Sequence, residues 1–319
     1  MTNNSLLDQS STRSEETAAK SDARPFSGAA LWLIALLVLK LVAPFVPLPN
    51  RAFAFVISAL FTVAYVVGVV MFAAQLLRIR MSLVGRVAWL VLALLVWSAF
   101  SFGATALLVD ALKTSGRPPG ASLVFAANAV SVGIDIGLLC AAVLGGSLVA
   151  QLISSPNLLA PLCGFLAMLD IWFVLFNGIA SQMMKKAPAY VEKVTASAPA
   201  VGAAMSKFHI APVGIGAADY LFIGFFFAVM HRFSMNWRAS AKWMIVLVGG
   251  ALLAVMFGIG ALPGLLFIGL AAAIPNRAFF EYSKEEKTAL IQAGGFVVVL
   301  TIGLYFAQPF LIEHMKTVK

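Results

Sequence analysis

The feature that most constrains this chain is a series of long apolar stretches with few or no charged residues. A helix needs roughly 20 apolar residues to cross the hydrocarbon core of a bilayer, and in lipid its backbone groups must be hydrogen-bonded within the segment. About nine stretches approach that length, and each is therefore predicted to be a transmembrane helix. They cover approximately residues 28–48, 51–77, 84–112, 121–153, 157–183, 213–231, 239–260, 262–276 and 288–312.

The composition leads to the same class of protein. Hydrophobic residues make up 61% of the chain and charged residues only 11%, whereas soluble proteins have roughly 25% charged residues. The mean hydropathy is +0.97. These values exclude a soluble fold. They predict an all-α, multi-pass integral membrane protein whose surroundings are the lipid bilayer.

The net charge of +9 raises the question of nucleic-acid binding, which the distribution of the basic residues excludes. They form short groups between apolar stretches, with no basic face and interleaved aromatic residues for a phosphate backbone. Basic residues are more numerous on the side of the predicted membrane that holds the N-terminus. The positive-inside rule therefore predicts a cytoplasmic N-terminus.

The chain divides into four parts. Residues 1–27 are rich in Ser and Thr and contain no apolar core of a signal peptide, so they are predicted to be a disordered tail followed by an uncleaved anchor helix. Residues 28–153 form a four-helix membrane region and residues 154–276 a second, catalytic-like membrane region. Residues 277–319 hold the last helix and a tail.

The second membrane region contains the longest polar interval after the tail, at residues 185–212. Two stretches of this loop, 190–195 and 208–210, alternate weakly and are predicted either as short edge strands or as unstructured chain. The membrane part of the preceding helix is expected to end near Asn177 and Gly178, with residues 179–186 lying at the interface.

Four ionisable residues lie within predicted helices, where a charge costs about 2.5 to 3.5 kcal/mol at the bilayer centre and needs a partner or a function. For Lys40 and Asp135 we predict a structural role, with Lys40 either snorkelling to the interface or paired to a buried carboxylate, and Asp135 in contact with Lys40 or a neighbouring helix. Asp170 and Asp219 lie on sequential helices joined by the polar loop. Two carboxyl groups that face each other and share a proton act as general base and general acid on one water.

A third element lies in the sequence Pro263-Gly264-Leu265, at the start of a short predicted helix. Proline lacks an N–H and fixes φ, and glycine has no side chain. We therefore predict a turn with unpaired backbone carbonyls at membrane depth, a type of backbone that is tolerated only against protein or water.

Together, Asp170, the run Gly216-Ala217-Ala218-Asp219 and Pro263-Gly264-Leu265 resemble the three signatures of the GxGD intramembrane aspartyl proteases, the presenilin and signal peptide peptidase group. Gly224, five residues after Asp219, and the Arg232-Phe233 pair are similar to the signal peptide peptidase pattern in the same helix. The resemblance covers about residues 157–276.

The resemblance implies a membrane enzyme of nine helices that hydrolyses peptide bonds of transmembrane or signal-peptide helices without a metal or cofactor. Asp170 and Asp219 are implied to be the catalytic pair. The residues implied to support them are Gly216, Ala217, Ala218, Pro263, Gly264 and Leu265.

Several positions depart from the family pattern. Leu169 stands where a Tyr commonly precedes the first aspartate, Ala218 replaces the second Gly of GxGD, and Gly264 replaces the Ala of Pro-Ala-Leu. Four predicted helices precede Asp170 where the family has five, with an additional one after the turn. A protease relative that no longer cuts is therefore an alternative to an active enzyme.

The main alternative from another class is a proton-coupled transporter, in which the four membrane ionisable residues form a relay. No convincing repeat relates the two halves of the chain, which disfavours that class. A prepilin-peptidase-like enzyme is disfavoured because the usual Lys after its GxGD motif is absent. Cys140, Cys163 and the three His show no metal-ligand spacing, and both cysteines are expected to be small buried hydrophobic residues.

Overall fold

The computed structural model of the chain describes residues 27–115, 121–175 and 194–317. The predicted N-terminal tail, the expected helix end near Asn177 and most of the stretch 190–195 lie outside these residues. The described chain is mostly helical, with one two-stranded sheet.

Helices account for almost all of the ordered elements, and their positions follow the predicted apolar stretches. The helices before the sheet are α1 (Ser27–Phe45), α2 (Arg51–Leu76), α3 (Leu83–Ser98), α4 (Thr105–Ser115), α5 (Ala121–Val149) and α6 (Leu159–Leu175), with a π-helical segment, Ala99–Ala104, joining α3 to α4. The helices after it are α7 (Ala217–Arg232), α8 (Trp237–Met256), α9 (Gly264–Ala273) and α10 (Lys284–Thr317).

Six helices among the described residues are long and apolar enough to cross a membrane, which makes this an all-α membrane protein. They are Ser27–Phe45, Arg51–Leu76, Leu83–Ala111, Ser122–Leu152, Pro156–Val174 and Trp237–Met256. Their outer faces carry large exposed apolar side chains, such as Val84 at 78% and Leu107 at 74% exposure. Such a surface is stable in hydrocarbon and unstable in water.

Polar residues at the helix starts fix where several of these helices begin. The side chain of Asn50 accepts a hydrogen bond from the N–H of Phe53 at 2.8 Å, and Ser82 accepts one from Gly85 at 3.1 Å. Each bond satisfies a backbone donor that the first turn of a helix leaves free.

Helix α7 lies at the centre of the fold, where it packs against α5, α2 and α9. Phe225, Phe226 and Phe227 in α7 are fully buried. Glycines allow the close approach to α5, because a Cβ on Gly146 would lie 1.9 Å from the carbonyl oxygen of Leu221 and a Cβ on Gly224 would lie 2.5 Å from that of Val143. Small residues commonly set such backbone-to-backbone contacts between membrane helices.

The single sheet described pairs β1 (Thr195–Ser197) with β2 (Gly214–Gly216) in antiparallel register, with Ala196 opposite Ile215. Of the two alternatives predicted for residues 208–210, the structure has unstructured chain and not an edge strand, because Phe208, His209 and Ile210 lie in a turn and irregular chain. The pairing partner is instead the Gly-Ile-Gly segment that leads into α7.

The contact between α5 and α7 gives a test of the fold. Replacing Gly146 with Ala should destabilise the protein by about 1 to 3 kcal/mol or more, because the new methyl group meets backbone rather than a movable side chain. The midpoint of thermal unfolding in detergent measures this effect.

Gly145→Ala is the matched control, because a Cβ at Gly145 meets no atom within 4 Å. Removing a glycine from a helix there should stabilise by about 0.5 to 1 kcal/mol. Equal shifts in the two variants would contradict the packing of α5 on α7.

Candidate active site

The first turn of α9 is the meeting point of the two aspartates. Pro263 precedes this helix in an extended conformation, with φ −71° and ψ 105°, and the helix starts at Gly264. The first N–H groups of any helix have no partner inside it, and the helix dipole favours negative charge there. The turn therefore offers hydrogen-bond donors to an acid.

Asp170 uses one of these donors. It lies in the last third of α6, and its Oδ2 accepts a hydrogen bond of 2.6 Å from the N–H of Leu265. The turn was predicted to present unpaired carbonyls, but the group that meets the aspartate is an N–H. The difference arises because the chain becomes helical immediately after Pro263, which points the N–H groups of the first turn out of the helix end.

Asp219 approaches the same turn from the other side. It is the third residue of α7, and its Oδ2 accepts a hydrogen bond of 3.3 Å from the N–H of Gly216. A Cβ on Gly264 would lie 2.7 Å from Oδ1 of Asp219, so the carboxylate packs on the bare Cα of this glycine. Asp170 and Asp219 therefore contact two successive residues of one turn, Leu265 and Gly264.

The predicted supporting residues lie around this meeting point. Gly216 ends β2 and is the N-cap of α7, while Ala217 donates its N–H to the carbonyl of Val194 at 3.0 Å. Ala218 is exposed, so the methyl group that replaces the usual glycine fits without a clash. Gly264 is in contact with Asp219, and the space at this position is narrow. A glycine fits this space better than the alanine of the Pro-Ala-Leu pattern.

A small apolar cavity opens beside Asp219. Its volume is about 170 Å3, and among the described residues that line it Asp219 is the only carboxylate. The walls come from α2, β2, α7, α8, α9 and the turn before α9, with Val66, Ile215, Val248 and Phe267 among the lining residues. The carboxyl group of Asp219 therefore borders an apolar space in which a charged group is poorly solvated.

A buried ion pair lies on the far side of β1. Lys40 and Asp135 are each 5% exposed, and the ammonium group of Lys40 is in direct contact with Oδ2 of Asp135. The predicted contact between these two residues is therefore present. Lys40 also donates a hydrogen bond of 2.6 Å to the carbonyl of Ser197, which the sequence did not indicate. Through this bond the ion pair holds strand β1 against α1 and α5.

A pair of buried tyrosines links this region to the aspartates. The hydroxyl groups of Tyr65 in α2 and Tyr220 in α7 are 2.7 Å apart and hydrogen-bonded. Nζ of Lys40 lies 5.1 Å from the centre of the Tyr65 ring. Sequence reasoning missed both tyrosines. The available signal was the position of Tyr220 directly after Asp219. A buried tyrosine hydroxyl usually needs a hydrogen-bond partner, so this residue indicates a polar contact in the same region.

His209, His231 and the two cysteines take no part in this arrangement. His231 is hydrogen-bonded to the carbonyl of Ala74 at 3.0 Å, at the other end of α7 from Asp219, and His209 is exposed. Cys140 and Cys163 are free thiols. Among the residues that the structure describes, no three His, Cys, Asp or Glu side chains form a group that could hold a metal ion.

Comparison of the chain with protein-family models, with curated proteins and with solved structures found no significant match.

The ion pair gives a test that is independent of any activity. Lys40→Met leaves the carboxylate of Asp135 buried without its cation, which should lower the free energy of unfolding by about 3 to 5 kcal/mol. The double variant Lys40→Met/Asp135→Leu removes both charges and should recover much of that loss. Thermal unfolding in detergent measures both effects.

Lys113→Met is the control, because it removes a lysine that is exposed on α4. It should change stability by less than about 1 kcal/mol. A double variant no more stable than Lys40→Met would show that the two charges do not stabilise the protein as a pair.

Proposed function

We propose that this protein is an intramembrane aspartyl protease of the GxGD type, acting on transmembrane or signal-peptide helices. The single observation that carries the proposal is that Asp170 and Asp219 contact neighbouring residues of one turn, Leu265 and Gly264. These residues belong to the three sequence elements that resemble the family's signatures, of which the first and the third are 95 residues apart in the chain.

The proposed membrane topology has nine spanning segments. Six are the long apolar helices. The other three are α7, α9 with its 3-10 extension to Phe279, and α10. Helix α7 has only 16 residues and rises about 24 Å. Because α7 is surrounded by other helices, its short length does not expose backbone groups to lipid.

In the proposed reaction one aspartate is ionised and the other protonated. The ionised carboxylate removes a proton from a water molecule while the water oxygen attacks the carbonyl carbon of the peptide bond. The protonated carboxyl group then gives its proton to the amide nitrogen as the carbon–nitrogen bond breaks. The products are a carboxylic acid and an amine, and one proton stays on the pair. This chemistry is balanced without a cofactor.

The substrate must be unwound before this reaction, since a transmembrane helix hides its peptide groups in hydrogen bonds. The short sheet supplies a means, because each strand of a two-stranded sheet pairs with its partner along one edge only. An extended substrate segment can add to the other edge and regain backbone hydrogen bonds. Strand β2 leads directly into the helix that carries Asp219, so a segment paired there lies close to the catalytic pair.

One observation favours a second function, a proton-coupled transporter. The Tyr65–Tyr220 hydrogen bond, with Lys40 next to the Tyr65 ring, gives a line of polar groups from the ion pair towards Asp219. Buried ionisable groups in such a line are typical of proton relays. A third candidate is a silent relative of the protease, in which the same geometry is kept without turnover.

The first test replaces each aspartate with asparagine. Asp170→Asn and Asp219→Asn should each reduce cleavage of a generic transmembrane or signal-peptide substrate by about 10²- to 10⁴-fold, because acid and base act as one unit. The double variant should lose little more, since such losses do not add. Activity of the purified protein, with and without an aspartyl-protease transition-state analogue, is the measurement.

Asp135→Asn is the matched control, because it changes a buried carboxylate that does not touch the α9 turn. It should lower stability more than turnover. In a transporter, Asp135→Asn and Lys40→Met should instead uncouple solute uptake from the proton gradient as strongly as the other two changes. Undiminished proteolysis in either Asp170→Asn or Asp219→Asn would eliminate the protease proposal.

The second test restores the alanine that the family carries in its third signature. Gly264→Ala should reduce cleavage about tenfold or more, because the added methyl group displaces Asp219 from its contact and a small misplacement of a catalytic group is costly. Initial cleavage rates at saturating substrate provide the measurement. Gly249→Ala, in a helix position with open space around it, is the control and should leave the rate unchanged.

A further inference from the structure

A basic cavity lies at the opposite end of α7 from Asp219. Its volume is about 610 Å3, and the described residues of its lining include four arginines and one histidine but no carboxylate. Two arginines follow the end of α2, one lies in the first turn of α3 and one ends α7. The basic residues are Arg78, Arg80, Arg86, Arg232 and His231.

Contacts with neighbouring groups hold three of these arginines in place. Arg232 donates a hydrogen bond of 2.9 Å to the carbonyl of Gln151, and Arg86 donates one of 3.5 Å to that of Ser147. The guanidinium of Arg78 lies 5.4 Å from the centre of the Trp237 ring. A guanidinium has five N–H donors, so these contacts orient the groups and leave donors for an anion. Planar, fixed guanidinium groups are well suited to phosphate.

An apolar crevice adjoins the basic cavity. It has a volume of about 390 Å3 and a lining that is almost entirely apolar, drawn from α1, α2, α3 and α5. Ile79 and Met81 line both spaces, so the two are neighbours. Along α5 the crevice extends from Leu144 to Ile136, a rise of about 12 Å into the helical part of the protein.

The two spaces lie at the end of the helices that corresponds to the surface of one membrane leaflet. The basic cavity is formed where α2, α5 and α7 end and α3 begins, which is the side of the membrane that holds the start of α1. The positive-inside rule predicts that this side is cytoplasmic. Anionic lipids give that leaflet its negative surface potential, and basic pockets between helices bind their headgroups.

We infer that the basic cavity and the apolar crevice together form a binding site for one anionic phospholipid. The phosphate group lies among the arginines and an acyl chain occupies the crevice. The site is separate from the aspartates and independent of the proposed function. A free phosphate shares the headgroup chemistry, but it has no acyl chain to occupy the crevice.

The test measures lipid bound to the purified full-length protein by native mass spectrometry. Phosphatidylglycerol should be retained about tenfold more strongly than phosphatidylcholine with the same acyl chains. Arg80→Gln/Arg86→Gln should weaken phosphatidylglycerol binding about thirtyfold, given the usual contribution of each basic residue near a membrane surface. Arg80→Lys/Arg86→Lys keeps the charge and should retain most of the binding.

Arg277→Gln/Lys284→Gln is the matched control, because it removes two exposed basic residues outside the cavity on the same side. It should leave phosphatidylglycerol binding unchanged. Ala30→Phe fills the crevice and should also weaken binding, whereas Ala35→Phe, on the exposed part of α1, should not. Thermal unfolding of each variant identifies any that lose their fold, and the remaining variants decide the outcome.

Two results would overturn the inference. One is equal retention of phosphatidylglycerol and phosphatidylcholine, or equal loss in the cavity variant and its control. The other is binding of inorganic phosphate alone that displaces the lipid and is insensitive to Ala30→Phe, which would assign the cavity to free phosphate.

Discussion

The start of α9 is the point on which the candidate site depends. A helix that begins inside an apolar protein leaves several N–H groups without partners, and burying them is costly unless an acceptor is near. Asp170 supplies that acceptor through its bond to Leu265. Because Gly264 has no side chain, Asp219 reaches the same turn. The turn therefore determines the separation of α6 and α7 at the level of the carboxylates, and it brings two acids together that would otherwise repel each other.

The other polar contacts described in the core also pair buried donors with buried acceptors. Lys40 neutralises Asp135 and also satisfies the carbonyl of Ser197, so one ammonium group joins α1, α5 and β1. Tyr65 and Tyr220 satisfy each other between α2 and α7. Packing between apolar faces specifies helix register weakly in lipid, since lipid chains are as apolar as leucine. Directional bonds of this kind fix the sheet relative to the helices, and the sheet in turn fixes the start of α7.

Much of this arrangement could be predicted from the sequence, and the physical reason differs from residue to residue. Helix positions followed from apolar length, because backbone satisfaction in lipid leaves few other structures. The contact of Lys40 with Asp135 is one of the alternatives that the cost of an isolated membrane charge predicts. The strands did not follow, because three-residue segments carry little periodicity, and Phe208 to Ile210 alternates as well as Gly214 to Gly216 does. The tyrosine pair and the use of an N–H at Leu265 depend on which helices become neighbours, which the local sequence does not encode.

Helix α7 connects two chemically opposite environments. Asp219 lies in its first turn beside an apolar cavity, and Arg232 ends it in the basic cavity, thirteen residues or about 20 Å away. Gly146 lies against the backbone of Leu221 and Gly224 against that of Val143, so the two helices pack backbone to backbone midway between these environments. An anion bound among the arginines would therefore contact the helix that also carries Asp219, although the two sites share no residue.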